Sequence, residues 1–598
     1  MGPGNAFNRQ SSIPWAPFLR KSNAFSTSSG AMHNRSSGFF VFAMLILALG
    51  GGCSKSGSND SAGKQPGQSG PAAAIHWIGM GRVAADTNAA GFLKIWRLPE
   101  SERLKAQTLD KLALLPWGLP GTNHQATITN YAPFVRANHS ASLLRLVLED
   151  LISAEWYLEI RDQTPQSGQI ALAVQLRPER AGVWETNLGA VLESLTGARR
   201  TLVQSGDASR GWDIRATQAS AAFPAIARHA QLIHSGQWMI FGLAVDQNAV
   251  FADLLSKVQH NQTPGTTPEK NDWLETALDF KRLSTLFSWG WDLPQDWPRI
   301  SFAITGNGKD VVTRGHLNFS KPLPEIEPWN IPASLIHEPL HSFTAVQGLK
   351  SWLSSWPAWQ NLHAGAPPNQ LFCWAQGGSP FLGYAASPLA DAPGAMAKIA
   401  PAIMDSLNPL LATNRTGKWE RATNSDGLVW NMVPIINPFV QSTEVGQQHF
   451  LLAGLSPLAI TNTRAPTVTL KELTGQPNVV YFDREITSPR EDAWVYLGQL
   501  FRIIMRRNQL PPEGPPLSWL KASGPFLGTS ATTVTKTGPA ELSLVRTSTV
   551  GLTALELQLL ADWLESPRFP FEPHSVVSKL PPFPVRHAKT TSPQSSLP

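Results

Sequence analysis

Apolar positions in this chain recur with two periods, and the two alternate along most of its length. In residues 142–153 they fall at 143, 144, 147, 148 and 151, one face of a 3.6-residue helix. Residues 493–507 and 272–288 show the same amphipathic period and are predicted as helices. Thr553-Ala-Leu-Glu556 is a capping box, in which Thr and Glu satisfy each other's orphan amides, and it opens a helix that ends before Pro567. Short apolar or β-branched runs at 170–176, 238–244, 450–455 and 479–482 read as strands. Residues 299–305 and 311–319 flank Asn307-Gly308, a hairpin turn signal. Because helices and strands alternate, the expected class is α+β (mixed α/β).

The order of these parts repeats. A first half, 74–325, is expected to open with a strand at 91–98 and a helix. Strand 170–176, a helix near 184–196, strand 212–216, a strand at Gly236-Gln237 and the 299–319 hairpin follow. A second half, 326–570, opens with a strand at 342–349 and a helix. Strand 371–375, a helix near 392–407, strand 428–433, a strand at Gly446-Gln447 and a hairpin at 531–550 follow. Phe, Ile or Val, and Leu stand at matching offsets in the two opening segments. The Pro-rich stretch 322–332 lies between the halves and reads as a linker or rigid crossover. The expectation is two tandem similar halves, each a mostly antiparallel sheet with helices on one face. A ligand or partner site is then expected along their junction, where clefts form preferentially.

Residues 39–49 are an unbroken apolar run of 11, followed by Gly50-Gly51-Gly52-Cys53. Crossing a bilayer takes about 20 such residues, whereas a signal-peptide core has roughly 7–15. Cationic residues, apolar core, small residues and then Cys resemble the signal of bacterial lipoproteins. The Leu that this class prefers three residues before the Cys stands one place further back, at Leu49. The resemblance implies lipidation at Cys53, a membrane-lipid partner and a cell-envelope location with the body in the periplasm or exterior. Ser54 rather than Asp after the Cys favours the outer membrane. Residues 1–53 are thus expected to be the signal sequence, with Met32 the expected true start because a compact signal begins there. Residues 54–73 hold no large apolar side chain and read as a flexible tether, and 571–598 as a disordered, Pro-rich basic tail. The body loosely resembles uncharacterised bacterial envelope proteins, a likeness that carries no activity.

Composition narrows the function classes. The chain has 598 residues, 42% apolar, so it can bury a core, and only 15% charged. The net charge of +6 belongs to its ends: 1–58 carries five Lys or Arg and no acid, and 579–598 carries three and no acid. That leaves 59–578 slightly acidic, and a nucleic-acid partner is not expected. Two cysteines, Cys53 and Cys373, exclude a disulfide scaffold and a multi-Cys zinc site.

His337-Glu338-Pro339-Leu340-His341 matches H-E-x-x-H, but Pro339 would break the helix that brings both His to one metal. The segment is expected to form a turn before a strand starting near Phe343. His229 and His234 are five apart, too far round a helix for one ligand face. No G-x-S-x-G elbow occurs, and Gly417-Lys418 is followed by Trp419 rather than Ser or Thr. Cys373 reads as a buried apolar thiol. Trp352, Trp356 and Trp359 share one helical face that is expected to bury, with sugar stacking the alternative, and Trp289, Trp291 and Trp297 form a second cluster. No catalytic, cofactor or metal residues are expected. The expected function is a non-enzymatic structural or binding role in the envelope, with an envelope protein or glycan as partner. The alternatives are an exported hydrolase acting on polysaccharide or peptide, and a subunit of a larger envelope assembly.

Overall fold

In the computed structural model, the apolar and β-branched runs pair into ladders that join side by side into one sheet. It describes residues 70–576 apart from 118–130, 165–166, 205–208, 217–227, 266–271, 288–292, 295, 363–364, 415, 424, 432–435, 459–463, 568 and 571–572. Cys53, the signal segment and Trp289 and Trp291 lie outside the described residues.

The first ten strands are β1 Ala73–Trp77, β2 Trp156–Thr164, β3 Ser167–Gln175, β4 Thr201–Gln204, β5 Ser209–Arg215, β6 His229–Ser235, β7 Trp238–Ala244, β8 Leu274–Leu278, β9 Arg299–Gly306 and β10 Val311–Asn318. The next ten are β11 Leu340–Gln347, β12 Gln370–Gln376, β13 Gly383–Pro388, β14 Lys418–Arg421, β15 Gly427–Asn431, β16 Phe439–Val445, β17 Gln448–Gly454, β18 Val479–Ile486, β19 Thr529–Gly538 and β20 Glu541–Ser548.

Every ladder is antiparallel. From one edge the first ten strands pair in the order 4-5-6-7-3-2-1-8-9-10. The second ten pair as 14-15-16-17-13-12-11-18-19-20, the same order with ten added to each strand. β10 and β20 then pair with each other, from Val311 opposite Ser548 to Asn318 opposite Glu541. Among the described residues the result is one sheet of 20 strands from β4 to β14. The class is α+β, as the alternating periods predict.

Helices cover both faces of this sheet, not the single face expected. In β3, Ile170, Leu172 and Val174 pack with Trp184 and Leu188 of the Pro178–Thr196 helix. Their neighbours Ala171 and Ala173 pack with Val250, Phe251 and Leu254 of the Ala249–Gln259 helix. Successive strand residues point to opposite faces, so a strand apolar at every position needs a cover on each side. In the second ten strands, Phe343, Phe372, Phe450 and Phe482 form a core with Leu473 of the Thr467–Thr474 helix and Ile336 at the end of the Pro-rich connection.

Several local readings change. Gly236-Gln237 and Gly446-Gln447, expected in strands, are the two-residue turns that join β6 to β7 and β16 to β17, with Gly236 and Gly446 at positive φ. Residues 91–98 are not the opening strand; Ala90–Trp96 is a helix, and the strand at that place is β1. Helical spacing stacks Phe92 on Trp96, with centroids 5.7 Å apart. It also brings Gly91 against the β9–β10 turn, where a Cβ would stand 1.8 Å from the Lys309 carbonyl oxygen. The segment 272–288 is not one helix. β8 takes Leu274–Leu278, because β1 and β9 bond it on both sides, and a helix starts only at Phe280, capped by Asp279.

The ends of the body also enter the structure sooner than expected. Ala72 and Ala73, at the end of the expected tether, are wholly buried. Ser575, in the expected tail, donates from its backbone N–H and hydroxyl to Asp562, at 3.0 and 2.6 Å.

The two sets of strands are also bridged by helices. Leu104, from Pro99–Leu114 between β1 and β2, packs with Leu517 and Leu520 of Pro515–Ser523, between β18 and β19. Lys111 donates to the carbonyls of Leu564 and Glu565, 2.5 and 3.1 Å away. A cation is favourable there, because the Ala554–Glu565 helix leaves unpaired carbonyls at its C-terminus.

Candidate functional site

Residues directly opposite in an antiparallel ladder share a face, so a row of side chains can be traced across the whole sheet. In the first ten strands one such row reads Met239, Val174, Trp156, Trp77, Leu274 and Ile304. It passes through Thr313 into the second ten as Arg546, Thr532, Asp483, Thr344 and Cys373. The face that carries apolar core on one side of the β10–β20 seam carries polar and ionisable groups on the other. A second polar row, Ser342, Glu485 and Ser530, lies beside it on the same face.

These groups are buried: Asp483 is 6% exposed, Glu485 5%, Thr532 1% and Ser530 0%. The Thr487–Ile504 helix packs over β11 and β18. It brings Arg490, which lies over the Trp494 ring at 4.9 Å, and the buried carboxyl of Glu491. Thr344 Oγ1 donates to Asp483 Oδ1 at 2.7 Å, and Arg546 Nε donates to Thr532 Oγ1 at 2.9 Å. The two terminal nitrogens of Arg546 hold Glu556 at 2.7 and 3.0 Å. Glu485 Oε1 accepts from the Ala554 backbone N–H at 2.7 Å, at the start of the Ala554–Glu565 helix. The other carboxyl oxygen of Asp483, the Ser530 and Thr313 hydroxyls and Arg490 Nε have no partner. Among the described residues no carboxylate lies in ion-pair contact with Arg490, though Glu485 and Asp483 act on it at longer range.

Burial sets the charge states. It pushes the Glu485 carboxyl up to about 7, against the Ala554 N–H that favours the ionised form, and Asp483 next to it pushes it further up. Asp483 rises for the same first reason, opposed by its Thr344 bond. Glu491 rises to about 7 by burial and the neighbouring Asp492. Burial lowers Arg490 from the usual guanidinium range, opposed by Glu485 and Asp483. Burial, reinforced by Asp483, pushes the Cys373 thiol up to about 11. A thiol raised in this way is not a prepared nucleophile, because the thiolate is the reactive form. With two carboxyls raised by burial, the cluster can take up and release protons near neutrality.

The residues singled out from the sequence are scattered. His337–His341 forms a turn and the start of β11, as expected, with Glu338 Oε2 accepting from the Leu340 N–H at 2.8 Å. His341 is the extra residue of a bulge between Leu340 and Ser342, and burial with the nearby Arg490 lowers its pKa. Among the described residues no group of three His, Cys, Asp or Glu could hold a metal ion. His229 is clamped between the Asp213 carboxylate and the Asp246 carbonyl. His234 is five residues on in the same strand, β6, so its side chain points to the other face.

Cys373 faces the polar row rather than an apolar pocket. The single helical face expected for the tryptophans is broken: Leu349–Ser355 ends, and a new helix starts at Pro357. Trp352 is therefore 59% exposed and stacks on Trp356 with centroids 5.9 Å apart. The residues that sequence reasoning missed are Asp483, Glu485 and Arg490. The available signal was Asp483-Arg484-Glu485 continuing the alternation of an apolar strand up to Ile486, instead of ending it at Phe482. No family model, no curated protein and no solved structure matches this chain.

Proposed function

We propose that the protein is an exported lipoprotein of a bacterial envelope, held to the membrane by lipid on Cys53, whose body binds or supports a partner without catalysis. The observation that carries the reading is the order of cationic residues, apolar 39–49, Gly50-Gly51-Gly52 and Cys53. The span from Cys53 to Ala73, the first strand residue, is 20 residues. At full extension that span reaches at most roughly 66–72 Å. Ser54 favours the outer membrane.

The body supports the same reading, because its most polar stretch of sheet is roofed by helices rather than open in a cleft. Its partner is an envelope protein or a glycan, and the exposed Trp352 ring, stacked on the half-buried Trp356, suits the latter. Metabolic labelling with a clickable fatty acid tests the anchor. The wild-type chain takes up label and Cys53→Ser does not; equal labelling of the two overturns the proposal.

A second reading, an exported hydrolase of polysaccharide or peptide, draws on Asp483 and Glu485. Two residues apart on β18, they share one face of the strand with backbone positions about 6.6 Å apart; a glycoside-cleaving pair needs its carboxyl groups roughly 5–10 Å apart. It requires the Thr487–Ile504 helix to lift. Turnover of cell-wall polysaccharide that is lost in both Asp483→Asn and Glu485→Gln would favour it over the first reading.

A further inference from the structure

An open antiparallel sheet ends in two edge strands, here β4 and β14; on β14 the Trp419 backbone N–H and C=O are already taken by the Asn408 side chain, at 2.7 and 3.0 Å. They hold counterpart places in the two pairing orders, yet their side chains differ. β14 is Lys418-Trp419-Glu420-Arg421, with an ion pair between Lys418 and Glu420 and Trp419 buried. Charges along an edge oppose pairing with another chain, because each would have to be desolvated. β4 is Thr201-Leu202-Val203-Gln204, without a charge and exposed at all four positions. Leu202 is 77% exposed, more than any other large apolar side chain among the described residues. On its bonded side Leu202 stands opposite Trp212 of β5. Beside both lies a cavity of about 450 Å³, walled by Glu185 and Glu193 of the Pro178–Thr196 helix and by Arg199 and Arg200.

From this contrast we infer that β4 is a docking edge for a second copy of this chain, which pairs antiparallel through its own β4. The partner is a copy because antiparallel pairing of a strand with itself is two-fold symmetric and satisfies both edges at once. The same device already operates inside the molecule, where counterpart strands β10 and β20 join edge to edge. With Leu202 opposite the copy's Leu202, both side chains lie on the Trp212 face, and each removes the other from water beside the cavity. No charge on β4 is buried in the process. A four-residue edge makes a small interface, so the association depends on concentration.

Analytical ultracentrifugation of the full-length protein in detergent tests the inference. The mass is expected to rise from one copy to two with concentration. Leu202→Lys weakens the association at least tenfold with an unchanged Tm, since the site is exposed. Leu559→Lys, at a side chain 57% exposed on the Ala554–Glu565 helix, leaves it unchanged. In a Cys53→Ser background, Leu202→Cys forms a covalent dimer on mild oxidation, whereas Leu559→Cys does not. A wild-type chain that stays single at every concentration, a dimer indifferent to Leu202→Lys, or equal weakening by Leu559→Lys overturns it.

Discussion

The two sets of ten strands have the same pairing order and are continuous across one seam, yet one row on one face changes character there. On the counterpart strands β1 and β11 the row holds Trp77 and Thr344, on β2 and β12 Trp156 and Cys373, and on β8 and β18 Leu274 and Asp483. A ladder is made by backbone groups, so it tolerates either set; what differs is the roof. Helices Tyr131–Ser153 and Pro178–Thr196 cover the apolar row with Leu144, Val147, Leu148 and Leu188. Thr487–Ile504 covers the polar row with Arg490. The lesson is that strand order and face chemistry are separate layers of information: order comes from ladders and connections, and chemistry from whatever the covering helix can satisfy.

Exchanging the characters of the row breaks the comparison most severely. Leu274→Asp would place an unpaired carboxylate in the apolar core, and loss of cooperative unfolding in urea is the expected outcome, since such a charge costs at least several kcal/mol. Trp156→Ala, which empties a side chain 4% exposed, is expected to lower stability by about 3–5 kcal/mol in the same measurement. Its counterpart Cys373→Ala should cost less than half as much.

The pH dependence sharpens the contrast. Glu485 and Glu491 titrate at about 7 when folded, above their unfolded range. The folded state therefore holds more protons than the unfolded one between about pH 4.5 and 7, and stability falls as pH rises through that window. The Tm of wild type is expected to drop across it, and the drop to shrink in Glu485→Gln with Glu491→Gln. Asp483→Asn keeps an acceptor for Thr344 while removing a buried charge, and should raise stability by about 1 kcal/mol at pH 8. The smallest effect is expected at Trp352→Ala, within about 0.5 kcal/mol, because the ring is exposed.

Much of the architecture is legible in the sequence. The hairpin around Asn307-Gly308, the capping box at Thr553 and Glu556 and the strand Trp238–Ala244 appear where turn chemistry and period place them. Each depends on neighbours within a few residues. The Asn307 side chain accepts from the Lys309 and Asp310 amides, at 3.0 and 2.7 Å, whatever lies elsewhere in the chain. The misreadings at 91–98 and 272–288 arose where a distant strand or turn decided between two periods that the side chains allow equally. Of the polar cluster little was legible, since Cys373, Thr344, Asp483, Thr532 and Arg546 are separated by up to 202 positions in the chain.

By itself, then, the sequence determined the α+β class, the local caps and turns, the acid–base balance of body and ends, and the signal-like order that leads to Cys53. Only the tertiary structure decided which strands are central and which are edges. It also decided that Asp483 and Glu485 lie buried under Arg490 while Leu202 lies bare. The reason is physical: local hydrogen bonding and hydrophobic period act over a few residues, whereas burial and charge state follow from what long-range pairing brings overhead.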